Sequence, residues 1–505
     1  MRASPPADAD HEADIVVLGY GVSGMAAAIT AAKRGASVIV VEKQPQDDHK
    51  ATLRMAGGIW MHLTDKDAGA RYLERCYAGF VPPDLTHVMA ERIATLRDWL
   101  ASVDPDLPWV KINTAEHPHF DGAESVEVYQ VGWHQHRLDP NGGTGKLIYA
   151  AFHKVVCGLG VRLLWSHKAS ALLRDVNGRV IGARAENSEG TVQIRARYGV
   201  VLGTGGFEHD EAAKQTYLPA YPAYFTASPA HTGDGLRMAA EVGADMWHMN
   251  QMVGRAMMGF PLEPDGRWQG FFVNMLPPGH PPSQPAPGYV IVDRFGERFA
   301  DEYKQAKLLH SFFYELLKFD SGRGLYPRIP CFWIFDEKRR RAGPLTFRHV
   351  GPVSVGVYDW SFDNTAEIAR GWISAGKTVK EAAAAAGVED PGAAARAVDR
   401  YNESCSYDRA DGYGRPPETL TPIAEPPFYC VKLWPAGPFT TGGPRRDAGC
   451  RILSVSGEAI AGLYGAGELG QISGLVYPAD GYAITEALCT GQIAVETALA
   501  DRVPD

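Results

Sequence analysis

Two apolar runs near the start of the chain flank a glycine-rich turn. Ile15–Leu18 is a short uninterrupted apolar run that predicts a buried strand, and Met25–Lys33 has the periodicity of a helix. A third apolar run, Ser37–Val41, predicts the next strand. The pattern therefore predicts a strand–helix–strand unit at the N-terminal end of the chain, and a long apolar helix at its other end, Tyr482–Ala500.

The turn between the first strand and helix has the spacing of a dinucleotide-binding loop. Gly19 permits the tight turn, Gly21 lets a pyrophosphate approach the backbone, and Gly24 lets the helix pack closely on the strand. Phosphates would lie on the unpaired N–H groups at the helix N-terminus, where the dipole favours anions. Glu42 follows the next strand and is placed to accept hydrogen bonds from ribose hydroxyls, which disfavours a 2′-phosphate. The sequence therefore predicts a bound dinucleotide, FAD or NAD(H) rather than NADP(H).

Composition and charge exclude several other functions. The net charge of the 505 residues is −9 and the longest basic run is Lys338–Arg341, so we expect no nucleic-acid partner. The seven cysteines are scattered without a CxxC pair, and Trp133–His136 holds two histidines without carboxylate or cysteine ligands beside them, so we expect no metal site. No stretch reaches 18 apolar residues and residues 1–12 lack the layout of a signal peptide, which indicates a cytoplasmic protein without a membrane span.

Between these ends, the apolar pattern indicates where the chain divides. Alternating runs between 161 and 196 predict a β-meander, with Asn177-Gly178 as its hairpin turn. The proline-rich segment 277–288 cannot form a helix or join a central sheet, which favours a connector between domains. The alternative interpretation of this segment is a lid.

Several motifs occur in the order that is typical of one family. They are the Gly19–Gly24 loop, Thr52–Trp60, Val200–Glu208, His231–Leu236, Val292–Glu302, Thr441–Gly443, Gly462–Glu468 and Tyr477–Gly481. With them the chain resembles the FAD-containing fumarate reductase/succinate dehydrogenase flavoprotein superfamily, and within it the 3-ketosteroid Δ1-dehydrogenase-like branch. The resemblance implies an α/β fold, in which a Rossmann-like FAD-binding domain is interrupted by an inserted α+β substrate-covering domain. The expected bounds are 1–12 for a disordered N-terminus, 13–276 and 428–505 for the FAD-binding domain, and 277–427 for the covering domain.

The resemblance also assigns residues to the cofactor. The loop at Gly21 and the Glu42 carboxylate would hold the adenosine half of FAD, and Glu468 would contact ribityl or ribose hydroxyls. Members that attach the flavin covalently carry a histidine where this chain has Ala51, and His49 is two residues out of register, so we expect non-covalent FAD. The full set of predicted cofactor-binding residues is Gly19, Gly21, Ser23, Gly24, Glu42, Lys43, Thr52, Gly57, Gly58, Ala169, Thr204, Gly205, Gly206, Asp234, Gly467, Glu468, Ala483 and Ile484.

The family's chemistry forms or reduces a C=C bond conjugated to a carbonyl. It needs an electrophile on the carbonyl oxygen, a group that transfers a proton, and a flavin that takes or gives a hydride. Ketosteroid dehydrogenases hold the carbonyl with a tyrosine hydroxyl and a backbone N–H four residues on, a spacing that Tyr477 and Gly481 reproduce. The alternative interpretation is that Tyr477 is buried at a strand-to-helix turn and its hydroxyl caps a loop.

The proton-transfer group is less clearly marked. The family places it four residues after Glu302, where this chain has Ala306, so Tyr303 or Lys307 would have to substitute. Tyr303 is equally well explained as a partly buried helix residue. A second family tyrosine corresponds to the region of His117 and His119, and histidine is the side chain best suited to proton transfer near neutral pH.

Three hypotheses follow for the function. The first is an oxidoreductase acting on a hydrophobic ketone or enone such as a ketosteroid, with an unidentified electron acceptor or donor and a possible homo-oligomer. The second is a flavin reductase of small unsaturated acids; Pro478 stands where such enzymes carry an arginine, and no histidine precedes Thr441 in Pro438–Thr440. The third is a flavin-binding subunit without turnover.

Overall fold

A computed structural model describes residues 9–132, 144–275, 286–307, 310–407 and 409–502. The chain divides into two compact units. Unit 1 comprises Met1–Leu218, Ser228–Met252 and Phe439–Asp505, and unit 2 comprises Pro219–Ala227 and Val253–Pro438.

The strands and helices of the described residues follow in chain order. The strands are β1 (His11–Leu18), β2 (Val38–Val41), β3 (Ile59–Leu63), β4 (Trp109–Asn113), β5 (Val126–Val131), β6 (Arg162–Leu164), β7 (Lys168–Arg174), β8 (Val180–Asn187), β9 (Gly190–Leu202), β10 (Tyr224–Phe225), β11 (Met246–Trp247), β12 (Met252–Leu262), β13 (Arg267–Phe271), β14 (Tyr289–Val292), β15 (Cys331–Asp336), β16 (Ser374–Gly376), β17 (Phe428–Thr440), β18 (Gly443–Pro444), β19 (Arg451–Leu453) and β20 (Ala459–Gly465). The α-helices are α1 (Val22–Lys33), α2 (Thr52–Met55), α3 (Lys66–Tyr77), α4 (Pro83–Val103), α5 (Thr144–Gly158), α6 (Glu211–Tyr217), α7 (Asp234–Glu241), α8 (Lys304–Lys307), α9 (Phe312–Leu316), α10 (Glu337–Arg341), α11 (Gly351–Ser354), α12 (Thr365–Ala369), α13 (Val379–Ala386), α14 (Pro391–Ser404) and α15 (Tyr482–Ala500).

Unit 1 is built on an eight-stranded sheet with β1 near its centre. β1 pairs in parallel with β2 on one side and with β9 on the other, β6 extends the sheet beyond β2, and β20 extends it beyond β9. β7 and β8 add the predicted antiparallel meander to β9. Ile15–Leu18 is fully buried, as expected for an interior strand of a parallel sheet. The predicted α/β fold class with its strand–helix–strand unit is thus confirmed.

Small residues let α1 and α15 pack closely in unit 1. Ala26 and Ala27 of α1 are fully buried. A Cβ atom on Gly491 of α15 would lie 2.5 Å from the carbonyl oxygen of Ser23 and 3.1 Å from Ala26 Cβ, so a larger residue would separate the helices. α15 also contacts a smaller three-stranded sheet with the order β3-β5-β4. Met61 N–H of β3 donates a hydrogen bond to Thr485 Oγ1 of α15 at 2.7 Å.

Unit 2 contains a seven-stranded sheet flanked by helices. The order is β13-β12-β17-β15-β14, and β10 and β16 also pair with β17. Residues of α13 and α14 pack on the apolar side chains of β14 and β15, such as Val290 and Ile334. In the same unit, the buried Arg298 guanidinium pairs with the carboxylates of Glu302 at 2.5 Å and Asp411 at 2.7 Å.

The structure places two predicted boundaries differently. His11 and Glu12 belong to β1 and pair with Ile194 and Arg195 of β9, which corrects the predicted disordered segment for these two residues. Backbone pairing, not an apolar pattern, orders them. Unit 2 begins its main segment at 253 rather than 277 and ends it at 438 rather than 427, because β12 and β13 belong to the same sheet as β14. Residues 1–8 and most of the proline-rich segment (276–285) lie outside the described residues.

None of the helices in the described part of the chain has the length and hydropathy that crossing a membrane requires.

Gly24 is the position where the close packing of α1 on β1 can be tested. A Cβ atom there would overlap the carbonyl oxygen of Gly19. We expect Gly24→Ala to lower the free energy of unfolding of the cofactor-free protein by about 1–3 kcal/mol, measured by urea unfolding. The control is Gly158→Ala at the end of α5, where a Cβ would meet nothing within 4 Å and where alanine should leave the stability within about 0.5 kcal/mol of wild type. Equal stabilities of the two variants would contradict this explanation.

Candidate functional site

The loop after β1 leaves one glycine open to a ligand. A Cβ atom on Gly19 would overlap the backbone of Gly203, whereas a Cβ on Gly21 would meet nothing within 4 Å. Gly21 is the N-cap residue of α1, and no side chain caps this helix. The N–H groups of its first turn are therefore left without a side-chain acceptor beside an open backbone surface, which is the arrangement that binds a pyrophosphate.

Glu42 lies at the end of β2, beside the same loop. Its carboxylate accepts hydrogen bonds from Tyr20 N–H at 2.9 Å and from Gln44 N–H at 2.8 Å, and His49 Nε2 lies 3.7 Å from Oε2. Burial raises the pKa of Glu42, but the attraction of His49 and the two N–H donors lower the pKa more, so that it falls below its usual range. The carboxylate thus stays charged and retains lone pairs for hydroxyl donors.

Lys43 and Asp234, both predicted to bind the cofactor, form an ion pair. Lys43 Nζ donates to Asp234 Oδ2 at 2.6 Å and to Thr232 Oγ1 at 2.8 Å. Asp234 begins α7 and also pairs with Arg237 at 2.7 Å. Burial raises the pKa of Asp234, but Lys43, Lys168 and Arg237 together hold it below its usual range. The pair links the segment after β2 to the start of α7.

A buried cluster of Glu208, His231 and Glu468 also lies in unit 1. Glu208 is fully buried, and its Oε1 accepts hydrogen bonds from Thr440 N–H at 2.6 Å and from the Thr440 hydroxyl at 2.8 Å. His231 Nδ1 lies 3.1 Å from Glu208 Oε2 and 3.5 Å from Glu468 Oε2. Only Glu468 of these three was predicted as a site residue.

The three groups of this cluster change one another's ionisation. Burial lowers the pKa of His231, but the hydrogen bond and charge of Glu208 raise it more, to above its usual value. Burial raises the pKa of Glu208, but His231 and the Thr440 N–H lower it below its usual range. Burial raises the pKa of Glu468 to about 8 despite the opposing charge of His231. These shifts favour the charged forms of Glu208 and His231 and the protonated form of Glu468.

The turn that carries Glu468 is fixed from two sides. A Cβ atom on Gly467, which has a φ of 74°, would lie 2.8 Å from Ser23 Oγ, so this turn touches the start of α1. The fully buried Arg446 side chain donates to the carbonyl oxygens of Gly465 at 3.0 Å and Gly470 at 2.9 Å, and it pairs with Glu486 at 2.9 Å. These contacts bring three predicted cofactor-binding residues, Ser23, Gly467 and Glu468, to one place.

Tyr477 and Gly481 lie at the N-terminus of α15. The Tyr477 hydroxyl oxygen accepts a hydrogen bond from Ala483 N–H at 2.8 Å, so it does cap this helix. Gly481 is the N-cap residue, and within the described ranges its N–H donates to no acceptor. The ring of His117 hydrogen-bonds the backbone of Tyr477, and burial together with His119 lowers the pKa of His117 below its usual value. The structure therefore brings Tyr477, Gly481 and His117 together.

The other predicted residues belong to several different elements of the chain. The carbonyl oxygen of Gly57 accepts a hydrogen bond from Gln130 Nε2 at 2.8 Å, and the next residue, Gly58, has a φ of 62°. Ala169 pairs with Ala185 in the β-meander. Ile484 is buried in α15. Tyr303 belongs to unit 2, where its N–H donates to Asp301 at 2.9 Å. Gly205 and Gly206 pack on the side chains of His231 and Thr440.

Several buried polar atoms of unit 1 have no hydrogen-bond partner among the described residues. They include Thr204 Oγ1, Thr441 Oγ1 and both polar atoms of the Gln471 amide. Thr441 and Gln471 are adjacent, since Gln471 N–H donates to the Thr441 carbonyl oxygen at 3.0 Å. Buried polar groups in folded proteins are nearly always paired, so these atoms indicate a polar ligand. Together with the open Gly21 surface and Glu42, they fit FAD.

Sequence reasoning did not select Glu208, His231, Thr441 or Gln471. The first three stand in motifs that were recognised, but no local spacing indicates that Glu208 and His231 reach Glu468. The expected absence of a metal stays a prediction, because the ligand atoms of Glu208, His231 and Glu468 all lie within 4.8 Å of one another. The two histidines of Trp133–His136 lie outside the described residues.

Comparison with known proteins also indicates a protein that binds FAD. A family model described as an FAD binding domain matches residues 14–484. The 3-oxosteroid 1-dehydrogenase of Mycolicibacterium smegmatis is 26% identical over 585 aligned positions, covering 96% of this chain and 96% of the relative. The vinyl phenol reductase of Lactiplantibacillus plantarum is 26% identical, covering 91% and 90%. Among solved structures, 3-ketosteroid Δ1-dehydrogenase from Sterolibacterium denitrificans in complex with 1,4-androstadiene-3,17-dione has a TM-score of 0.79 at 21% identity, covering 97% of this chain and 100% of that one.

A substitution at Gly21 should affect ligand binding without affecting folding. Because a Cβ there meets no protein atom and the residue's φ of −85° suits alanine, we expect Gly21→Ala to leave the unfolding of the cofactor-free protein within about 0.5 kcal/mol of wild type. The added methyl should nevertheless weaken FAD binding at least about tenfold, about 1.4 kcal/mol, because it occupies the surface that the pyrophosphate approaches. Fluorescence titration with FAD measures this, with Gly158→Ala as the control. An unchanged dissociation constant would remove Gly21 from the cofactor site.

Proposed function

The chain belongs to the FAD-binding flavoprotein family, and we propose that it introduces or removes a C=C bond conjugated to a carbonyl in a hydrophobic, ketosteroid-like substrate. Membership confirms two predictions, the FAD cofactor and the class of FAD-dependent oxidoreductase. The ketosteroid-like substrate is proposed because relatives along the whole chain are named 3-oxosteroid 1-dehydrogenases.

The N-terminus of α15 is the observation that carries this proposal. The Tyr477 hydroxyl oxygen accepts a hydrogen bond from Ala483 N–H, and we propose that the same hydroxyl donates to the carbonyl oxygen of a substrate. Gly481 N–H is a second donor without a protein acceptor among the described residues. Two donors at a helix N-terminus would stabilise the negative charge that develops on a carbonyl oxygen when the adjacent carbon loses a proton. The Tyr477 hydroxyl can therefore both cap the helix and donate a hydrogen bond to the substrate carbonyl.

Proton transfer requires another group near the two hydrogen-bond donors, the Tyr477 hydroxyl and the Gly481 N–H. When bound, FAD supplies the acceptor or donor of the hydride. His117 is the candidate of unit 1, because it contacts Tyr477 and its lowered pKa leaves the ring neutral at pH 7, able to accept a proton. Tyr303 of unit 2 is the other candidate.

A reductase of small unsaturated acids is the second candidate function. One relative is a vinyl phenol reductase and another is the fumarate reductase of Shewanella frigidimarina. The segment Gly470–Gly481, however, contains neither arginine nor lysine, and Pro478 occupies the position of the family's arginine. A dicarboxylate without fixed cations is poorly held in a desolvated pocket, so a neutral ketone is the better substrate.

Anaerobic mixing of the purified holoprotein with candidate substrates tests the proposal. We expect a saturated 3-ketosteroid to bleach the visible absorbance band of the flavin, while succinate leaves it unchanged. For the reverse reaction, the chemically reduced protein should be reoxidised by an unsaturated ketosteroid and not by fumarate. Reaction with the dicarboxylates alone would favour the second candidate, and reaction with neither class would favour a flavin-binding subunit without turnover.

Further properties accompany the proposal. We expect acid precipitation to release the flavin into the supernatant, because Ala51 leaves the family's attachment position without a nucleophile. Flavin that remained with the precipitated protein would contradict non-covalent binding. An unidentified electron partner, a homo-oligomer and a cytoplasmic location stay predictions.

Removing the Tyr477 hydroxyl should impair catalysis far more than folding. We expect Tyr477→Phe to lower kcat by about 10²–10³, the usual loss when one oxyanion donor is removed. Loss of the cap on Ala483 N–H should lower the free energy of unfolding by only about 1 kcal/mol. Steady-state kinetics and urea unfolding measure the two effects, and Tyr217→Phe, an exposed tyrosine on α6, is the control. Unchanged kcat in Tyr477→Phe would leave this tyrosine only its capping role.

The pH dependence of kcat/KM distinguishes the two proton-transfer candidates. If His117 is the base, the rate of dehydrogenation should fall as the pH drops through its lowered pKa, and His117→Ala should lose both this acid limb and about 10²–10⁴-fold in rate. Tyr303→Phe should then keep the acid limb and most of the activity. The opposite result, with loss only in Tyr303→Phe, would assign the proton transfer to Tyr303.

A further inference from the structure

His231 contacts three segments that each carry a predicted cofactor-binding residue. Its Nδ1 lies 3.1 Å from Glu208, which follows the Thr204–Gly206 turn, and 3.5 Å from Glu468. Its Nε2 lies 3.3 Å from the hydroxyl of Thr52 at the start of α2. One imidazole ring thus connects segments that are far apart in the sequence.

The surroundings of the ring are built to hold it in place. A Cβ atom on Gly205, which has a φ of 73°, would lie 2.5 Å from the imidazole, so glycine is needed where the ring packs. Glu208 is fixed by both donors of Thr440, and Thr52 Oγ1 accepts a hydrogen bond from Ser228 N–H at 3.2 Å. Because Glu208 and Thr52 are anchored independently, the ring position that satisfies both also determines where Glu468 is held.

His231 also balances the charge of this part of unit 1. The neighbouring cations are already paired within the described residues, Lys43 with Asp234 at 2.6 Å and Arg446 with Glu486 at 2.9 Å. Glu208 and Glu468 pair with no cation there except His231. FAD adds the two negative charges of its pyrophosphate, so the charge state of the cluster affects how well the cofactor is tolerated.

We propose that His231 is a positioning residue for FAD, which holds the Glu468 carboxyl against Glu208 and makes cofactor binding depend on whether Glu468 carries its proton. This inference rests on the proposed function only through its cofactor, since it requires FAD binding but no particular substrate. Loss of the Glu468 proton adds a second negative carboxylate to a site that would take a dianionic ligand, and the protonated cluster does not.

The direction of the pH dependence follows from the ionisation of the cluster. Without ligand, the proton on Glu468 is lost as the pH rises past about 8. A bound dianion holds this proton more tightly, so the pKa in the complex lies higher than in the free protein. Between the two values FAD binding weakens by up to about tenfold per pH unit, and below about pH 8 it is constant. The other charges that act on the cluster are those of Lys43 and Glu486.

Titration of the cofactor-free protein with FAD between pH 6.5 and 9.5 tests the inference. We expect the wild-type dissociation constant to be flat below about pH 8 and to rise above it by at least about fivefold. His231→Gln, which keeps a hydrogen-bonding side chain without a titrating ring, should bind FAD about tenfold more weakly at pH 7. Glu208→Gln removes a charge that raises the pKa of Glu468, so the rise should begin at a lower pH. His87→Gln, the same substitution at an exposed position on α4, should reproduce the wild-type curve.

The dependence of the wild-type dissociation constant on pH tests the inference even if His231→Gln fails to fold. A dissociation constant that stays flat to pH 9.5 would overturn the inference, and so would a Glu208→Gln curve that coincides with the wild type. Neither result affects the proposed function, because holoprotein that reacts with a 3-ketosteroid would still be an oxidoreductase. Protein that binds no FAD at any pH would instead refute both.

Discussion

The parallel pairing of four strands is the constraint on which the candidate site depends. β1, β2, β9 and β20 run in the same direction in one sheet, so their carboxyl ends meet at one edge. The segments that follow them carry Gly21, Glu42, Thr204 and Glu468. The sequence need not contain a separate signal that pairs these four residues, because the pairing of the strands brings them together. Close packing at Gly19 and Gly24 then fixes the loop against α1 and the chain after β9.

Charge at this edge is held in pairs rather than left to solvent. Lys43 with Asp234, Arg446 with Glu486 and His231 with Glu208 are all buried or half-buried. Buried ion pairs contribute little net stability, because desolvating the charges costs about as much as their attraction returns. Their value here is positional: each pair joins two segments of unit 1 that are apart in the sequence, and breaking one would leave a single charge buried.

Local patterns predicted the strand–helix–strand unit around Gly19, Gly21, Gly24 and Glu42, and the structure contains this unit. The last helix was predicted at its observed bounds, Tyr482–Ala500, because its apolar pattern is continuous. The contact of His231 with Glu468 could not be predicted, since it depends on how separate loops meet at the sheet edge. The start of unit 2 was missed for a related reason: β12 joins its sheet by backbone pairing that composition does not reveal. Sequence reasoning therefore selected the residues of the Gly19–Gly24 loop but not the contacts of Glu208 and His231 with Glu468.

We propose that the start of α15 activates a ketone beside the flavin. A crystal structure of the holoprotein with FAD and a bound 3-ketosteroid tests this most directly. We predict that the carbonyl oxygen lies about 2.7–3.1 Å from both the Tyr477 hydroxyl and the Gly481 nitrogen. A steroid whose carbonyl is held by other groups, away from the N-terminus of α15, would contradict the account.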